Sequence, residues 1–305
     1  MTVWRLFAAV LEAVLLALLL TGSAASIVRN HVSDETSPVQ EMTGGSPLEE
    51  DDLPWDRYRL IAHALGQADG VPYLNCREGF ENAWKNGCRL FEVDLTKTSD
   101  GVWVCRHSWQ DSLGQWDGEK ARKLSLKEFT ENPLMGKYKP LTWSDLVLLA
   151  CEYPDASFIL DTKHYSFRNN LSTIRDYTEL VSTATEAGGV QSLKQFIPEI
   201  YNQAMFSAAA SVYPFTAYMY SLWEDYDTEE LMEISRFCGS HGIRAAAVSS
   251  EYWTEEIQAL FDVENVYVYI YTVNEPEKVQ NFLSEGARGV VTDLPDDFLS
   301  LPLQS

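Results

Sequence analysis

Leu90-Phe91-Glu92-Val93-Asp94-Leu95, then Ser99-Asp100-Gly101, then Val102-Trp103-Val104-Cys105-Arg106-His107 form the stretch on which the reading of the fold turns. Successive strand residues point to opposite faces, so Glu92 and Asp94 share one face. Their neighbours Leu90, Phe91, Val93 and Leu95 are apolar, which embeds the pair in buried sheet. Two carboxylates converging there repel each other and lose solvation, a penalty that a bound cation relieves. Asp-Gly between two apolar runs reads as a tight hairpin, joining strand 88–95 directly to strand 102–106. His63 upstream and His107 downstream add groups that exchange protons near neutral pH.

Outward from this hairpin, short apolar strands alternate with amphipathic helices. The strands are expected at 58–63, 88–95, 102–106, 157–162, 196–201, 215–222, 243–248, 266–272 and 289–292. Helical patterns fall at 77–86, 142–152, 173–187, 228–240, 254–261 and 276–285. Gly87, Gly188, Gly242 and Gly286 follow four of them, where a glycine commonly ends a helix. Repeated strand–helix units over this length favour a (β/α)8 TIM barrel, an α/β fold, occupying 56–305. No glycine-rich loop follows the first strand, which argues against a dinucleotide-binding sheet. In such barrels chemistry sits at the C-terminal ends of the strands. His63, Glu92, Asp94, His107, Asp161 and Lys163 all fall there.

The chain has 305 residues and a formal charge of −22, with 45 acidic against 23 basic residues. That balance excludes nucleic acid as a partner, because a phosphate backbone would be repelled. It also excludes adhesion to anionic lipid through bulk charge. An anionic substrate needs local neutralisation, most simply by a metal.

The N-terminus reads as an export or membrane segment over 1–28. An apolar run from 6 to 20, interrupted only by Glu12, precedes the small residues Thr21 to Ser26. These suit signal-peptidase cleavage, and the stretch is also just long enough for an uncleaved anchor. Residues 29–55 are polar and acidic without hydrophobic periodicity, as expected of a flexible linker. The expected location is therefore exported, either secreted or anchored on the extracellular face. The five cysteines (76, 88, 105, 151 and 238) show no metal-finger spacing. Cys88, Cys105 and Cys151 lie in apolar runs, so buried free thiols are expected rather than a disulfide framework.

Each candidate group also has a bland reading. His63, alone after apolar residues, fits a structural role; its place before a glycine-containing loop and the carboxylate pair favours function. Asp161-Thr162-Lys163 fits a buried ion pair or helix cap, or else a third metal carboxylate with an ammonium for a phosphate oxygen. Oxygen ligands without a cysteine or histidine cluster point to Mg²⁺ or Ca²⁺ rather than Zn²⁺. Glu199, Tyr201 and Asn202 end another strand and can reach the site, where Glu199 and Tyr201 would touch substrate. Asn274 reads as a turn former or a site contact. Tyr267, Tyr269 and Tyr271 alternate as core-packing strand residues do. Trp109, Trp116, Tyr138 and Trp143 fit rim packing, or else a wall for an apolar or sugar ligand.

The run His63…Glu78-Gly79-Phe80-Glu81-Asn82-Ala83…Phe91-Glu92-Val93-Asp94…Ser99-Asp100-Gly101-Val102-Trp103-Val104…His107 resembles the glycerophosphodiester phosphodiesterase family. That family is grouped with the phosphatidylinositol-specific phospholipase C-like barrels. The tail Tyr271-Thr272-Val273-Asn274…Gly286-Ala287-Arg288-Gly289-Val290-Val291-Thr292-Asp293-Leu294-Pro295 looks like the family's closing strands. The resemblance implies that His63 and His107 are the catalytic histidines, one a general base and the other protonating the leaving alkoxide. It implies Glu92, Asp94 and Asp161 as metal ligands, with Lys163 and a divalent cation stabilising phosphoryl charge. The substrate implied is a small-molecule phosphodiester or lipid headgroup, opened directly or through a cyclic phosphate. Three positions depart from the family pattern: Ala64 replaces an arginine, Asp161 a glutamate and Ser108 an aspartate. Arg106 is expected to face away from His107 and so not to replace the arginine. Three competing readings stay open: a lyase that stops at the cyclic phosphate, a glycosidase, and a non-catalytic ligand-binding barrel. The glycosidase is disfavoured because its carboxylates must flank a bond rather than converge.

Overall fold

All nine expected strands form, and eight of them close into a ring. In the computed structural model, residues 55–116, 120–163 and 170–298 are described. The expected export segment, and all of the linker but Trp55, lie outside them. The strands are β1 (Leu60–Ala62), β2 (Leu90–Lys97), β3 (Trp103–Cys105), β4 (Ser157–Asp161), β5 (Phe196–Ile200), β6 (Met219–Leu222), β7 (Ala245–Ser249), β8 (Tyr267–Tyr271) and β9 (Gly289–Thr292). Neighbours pair in parallel in the order β1-β2-β4-β5-β6-β7-β8-β9, and β9 returns to β1. This closure is the (β/α)8 barrel. The expected hairpin is present: β3 runs antiparallel to β2, pairing Leu95 with Cys105 and Lys97 with Trp103. It folds off the ring and carries His107 back over the mouth. At the seam a Cβ on Gly289 would lie 2.2 Å from the Arg59 carbonyl oxygen, so only glycine lets β9 approach β1.

The period-2 alternation of the strands splits the apolar residues into two cores. Ile61, Leu90, Ile159, Ile197, Met219, Ala245, Ala247, Tyr269 and Val291 point inward and fill the barrel. Their alternates, among them Phe91, Val93, Phe158, Leu160, Phe196, Ala246, Val248 and Val290, point outward under the helices. Tyr58 and Trp55 pack against the inner cluster, and Tyr269 donates its hydroxyl to the carbonyls of Asp56 and Tyr58. The alternating tyrosines therefore divide: Tyr269 braces the floor, while Tyr271 lines the cavity at the opposite end.

The helices among the described residues are α1 (Arg77–Lys85), α2 (Leu126–Glu131), α3 (Trp143–Glu152), α4 (Asn170–Gly188), α5 (Gln203–Val212), α6 (Thr228–Ser240), α7 (Glu255–Val263) and α8 (Pro276–Ser284). Two of them carried no usable periodicity. Helix α2 has only six residues, and α5 is an alanine-rich run with little contrast between its faces. Their N-caps were the signal available: Ser125 and Glu128 form a capping box, and Asn202 accepts the Met205 amide. None of the described helices is long and apolar enough to cross a membrane.

Two expectations need correction. Gly188 is the last residue of α4, and the left-handed turn falls on Gly189 at φ +79°. Gly188 is small for a packing reason, since a Cβ there would lie 2.8 Å from both Cys151 Sγ and Val147 Cγ1. Cys151 is exposed, because its apolar neighbours Leu149 and Ala150 take the inner face of α3. The other four cysteines are buried, and all five are free.

Candidate active site

The inward positions that are apolar at the barrel floor turn polar at the C-terminal ends of the strands. On β2 Leu90 gives way to Glu92 and Asp94; on β4 Ile159 gives way to Asp161; on β5 Ile197 gives way to Glu199; on β6 Met219 gives way to Ser221. Register does the rest, setting Asp94 beside Asp161 on adjacent strands. The resulting cavity of about 250 Å³ is lined by His63, Tyr73, Glu92, Asp94, His107, Asp161, Lys163, Glu199 and Tyr201, with apolar residues below. All eight site residues expected from sequence thus meet in one place. Asn202 does not contribute a contact of that kind; it caps α5.

Four carboxylates share this space, and Lys163 reaches two of them, Asp94 and Asp161. Glu92, Asp161 and Glu199 are buried and bring one oxygen each within 4.8 Å of one another. Unit charges that close repel by roughly 3 kcal/mol or more per pair at an effective dielectric of about 20. Burial, then the charges of Asp94 and Asp161, hold Glu92 well above the usual carboxylate range. Burial and Asp161 push Glu199 up to about 8. Asp94 belongs to a different arrangement. Its Oδ1 faces Lys163 Nζ at 2.8 Å, and its Oδ2 accepts from Asn75 Nδ2 at 2.9 Å. Burial alone would raise Asp94, but Lys163 and His63 outweigh it and the net direction is down. The sequence expectation grouped Glu92, Asp94 and Asp161; the oxygens that converge are those of Glu92, Asp161 and Glu199.

Lys163 Nζ also lies 2.6 Å from Asp161 Oδ2, and Tyr201 donates to Asp161 Oδ1 at 2.6 Å. Burial works against the charged lysine, yet Asp161 and Asp94 overcome it and keep the ammonium charged. One ammonium cannot balance the whole group. A buried, oxygen-only donor set with surplus negative charge fits a divalent cation, and Glu92, Asp161 and Glu199 are the residues placed to hold it.

Both histidines pack against the ring of Tyr73. Its ring centroid is 4.8 Å from that of His63 and 5.1 Å from that of His107. His63 Nδ1 pairs with Asp293 Oδ1 at 2.6 Å, and its Nε2 is 3.7 Å from Glu92 Oε2. Asp293 is itself held: Asn274 donates to its Oδ2 at 2.8 Å and accepts its backbone amide. Burial would raise Asp293, but the bonds from His63 and Asn274 prevail and hold it below the usual range. Asn274 is thus neither a turn former nor a cavity contact; it is the brace of the brace. His107 is held more loosely, with Nδ1 3.6 Å from Asp111 Oδ2.

Sequence reading did not single out Tyr73, Asn75 or the Asp293 pairing. Asp293 had a signal, being a carboxylate just past the last barrel strand. Tyr73 and Asn75 lie in an irregular loop where no periodicity aims a side chain. At the departing positions, Ala64 is buried, and its amide donates to Glu92 Oε2 at 2.8 Å. Arg106 turns away from the cavity as expected. It donates to Ser108 O, Asp111 O and Gln115, between the rings of Trp109 and Trp116. Of the four rim aromatics, none lines the cavity. Trp143 packs on Phe196, and Tyr138 bonds to Asp69, so packing is their role.

Fold and site together define a (β/α)8-barrel enzyme. The chain belongs to the glycerophosphoryl diester phosphodiesterase family, which matches residues 73–297. Membership makes it a phosphoric diester hydrolase of the glycerophosphodiester phosphodiesterase type. The match begins after His63, which lines the cavity with the matched residues. Comparison with curated proteins gives no match. Among solved structures, a glycerophosphodiester phosphodiesterase from Parabacteroides distasonis is 18% identical, covers 78% of this chain and 94% of its own, and superposes with a TM-score of 0.60. One from Thermotoga maritima is 18% identical, with coverage of 80% and 98% and a TM-score of 0.58. A phosphodiesterase from Oleispira antarctica, in complex with the product sn-glycerol-3-phosphate, is 16% identical, with coverage of 79% and 95% and a TM-score of 0.61. At these identities the likeness is one of fold.

Proposed function

We propose that the cavity hydrolyses a glycerophosphodiester by acid–base chemistry between His63 and His107, with a divalent cation, Mg²⁺ or Ca²⁺, at Glu92, Asp161 and Glu199. The observation that carries this reading is the placing of two cavity-lining histidines against one tyrosine ring, beside a buried and under-neutralised carboxylate group. With its Nδ1 proton donated to Asp293, His63 leaves Nε2 to take the proton of the attacking oxygen. Asp293 then stabilises the imidazolium that forms. As the nucleophile's oxygen bonds to phosphorus, the bond to the departing alcohol breaks, and His107 protonates the released oxygen. The cation, when bound, supplies Lewis-acid stabilisation of charge on the phosphoryl oxygens. Lys163 orients Asp94 and Asp161 and adds positive charge at the same place. The glycerol-3-phosphate bound by the Oleispira antarctica phosphodiesterase supports a substrate of this size and charge.

The test is release of alcohol from glycerophosphocholine by the purified protein, with each cation and with EDTA. Wild-type protein should be active and cation-dependent, and Glu92→Ala should lose activity while keeping its melting temperature. Full activity in Glu92→Ala sinks the reading. Phosphorus NMR of the product should show glycerol phosphate; an accumulating cyclic phosphate would make the enzyme a lyase instead. We further propose that residues 1–28 export or anchor the protein, on the strength of their apolar run and small-residue patch. N-terminal sequencing of the membrane and secreted fractions decides between the two.

A further inference from the structure

Among the described residues, Tyr73 is the aromatic side chain whose ring packs against both site histidines. It reaches them from a left-handed backbone conformation, φ +67°, which a bulky side chain adopts only where its surroundings hold it. What holds the loop is Asn75, two residues on. Its side chain donates to Asp94 Oδ2 and accepts the Asp94 amide, at 2.9 and 3.0 Å. The loop is thereby fastened to β2 at the carboxylate group, and Tyr73 projects from that anchor into the cavity.

The hydroxyls of the cavity tyrosines differ in their partners. Tyr201 donates to Asp161 and Tyr271 to the Leu222 carbonyl. The Tyr73 hydroxyl has no hydrogen-bond acceptor among the described residues. Burial first, then Asp94 and Glu92, hold its pKa well above the usual phenol range. It therefore keeps its proton, as a donor in a charged cavity. Such donors are scarce here. Lys163 is engaged by Asp94 and Asp161, Arg106 points out of the cavity, and position 64 is a buried alanine.

We propose that Tyr73 donates its hydroxyl to a non-bridging phosphoryl oxygen of the substrate, while its ring sets the spacing of His63 and His107. The inference rests on the phosphodiesterase reading and names a residue that does for this chain what a cationic phosphate grip would do. A hydrogen bond to a charged oxygen sets the scale of the effect.

Tyr73→Phe keeps the ring and removes the donor; Tyr73→Leu removes both. In the full-length protein, Tyr73→Phe should lower kcat and weaken sn-glycerol-3-phosphate binding by roughly 10- to 100-fold each. Its melting temperature and its calorimetric affinity for Mg²⁺ or Ca²⁺ should stay at wild-type values. Tyr73→Leu should lose more activity and shift the imidazole NMR signals of both histidines, which Tyr73→Phe should leave in place. Wild-type kcat and wild-type glycerol phosphate affinity in Tyr73→Phe overturn the proposal alone. So does a matching loss of cation affinity, which would make Tyr73 part of the acidic site rather than a phosphate donor. A wild-type protein that neither hydrolyses glycerophosphocholine nor binds glycerol phosphate overturns the proposal and the functional reading together.

Discussion

The two histidines pack against one tyrosine, yet the molecule holds them in opposite ways. His63 directly follows a strand of the closed ring, is 20% exposed, and is fixed through Asp293 to Asn274 and from there to Thr292. His107 follows the hairpin strand that lies off the ring, is 40% exposed, and has one carboxylate 3.6 Å away on an exposed loop. Closed barrel strands are tied on both sides, so a side chain at their end inherits a fixed position. The hairpin strand is flanked by β2 and by Leu141 and Thr142, but it ends at Cys105, and His107 lies beyond that pairing. A base must meet a small nucleophile at one place, whereas an acid must follow a leaving group of variable size. The difference in restraint suits that division of labour.

The contrast can be broken most directly at its rigid end. His63→Ala should lower kcat by about 10²- to 10⁴-fold, the usual worth of a positioned acid–base group, without lowering the melting temperature. Asp293→Asn keeps the shape but removes the charge that orients and stabilises the imidazole. It should cost roughly 10- to 100-fold in kcat and leave cation affinity intact. A change within twofold would show that the Asp293 link is structural only.

The carboxylates beside His63 make a third prediction, read by thermal melts. Glu199 rises from an ordinary value of 4.5 to about 8, and Glu92 moves in the same direction. A raised pKa means the folded state holds more protons than the unfolded one, so stability falls as pH rises between those values. The metal-free protein should therefore melt several degrees lower at pH 8 than at pH 5, at roughly 2–4 °C per kcal/mol. Mg²⁺ or Ca²⁺ should raise the melting temperature more at pH 8, where the ligands carry charge. A flat profile with and without cation would remove the electrostatic argument for the site. The smallest effect belongs to the loose end. Asp111→Asn should change kcat by less than about threefold, because the pair stands 3.6 Å apart without a hydrogen bond and Asp111 is exposed. A loss as large as that of Asp293→Asn would erase the contrast between the histidines.

Much of this was legible before the fold. Alternation within 90–95 placed Glu92 and Asp94 on one face, and Asp100-Gly101 placed the hairpin, because both signals are local. The ring of strands followed from repetition. What escaped were features that depend on partners distant in sequence. Glu199 was expected as a substrate contact, but the β4–β5 neighbourhood brings it to Glu92 and Asp161 as a third converging carboxylate. The partners of Asp94 were not legible either: Asn75 and Lys163 bond to it, as Lys163 and Tyr201 bond to Asp161. Tyr73 and Asn75 sit in a loop, where side-chain direction has no period to read.

The sequence by itself determined which residue types reach the mouth of the barrel: two histidines, four carboxylates and a lysine, each at the C-terminal end of a strand. Period-2 geometry and chain order suffice for that. Tertiary structure alone decided who partners whom at long range: Asp293 with His63, Lys163 with Asp94, and Tyr73 against both histidines. Those pairings are set by ring closure and by strand register across separations of up to 230 residues. No local pattern encodes a distance of that kind.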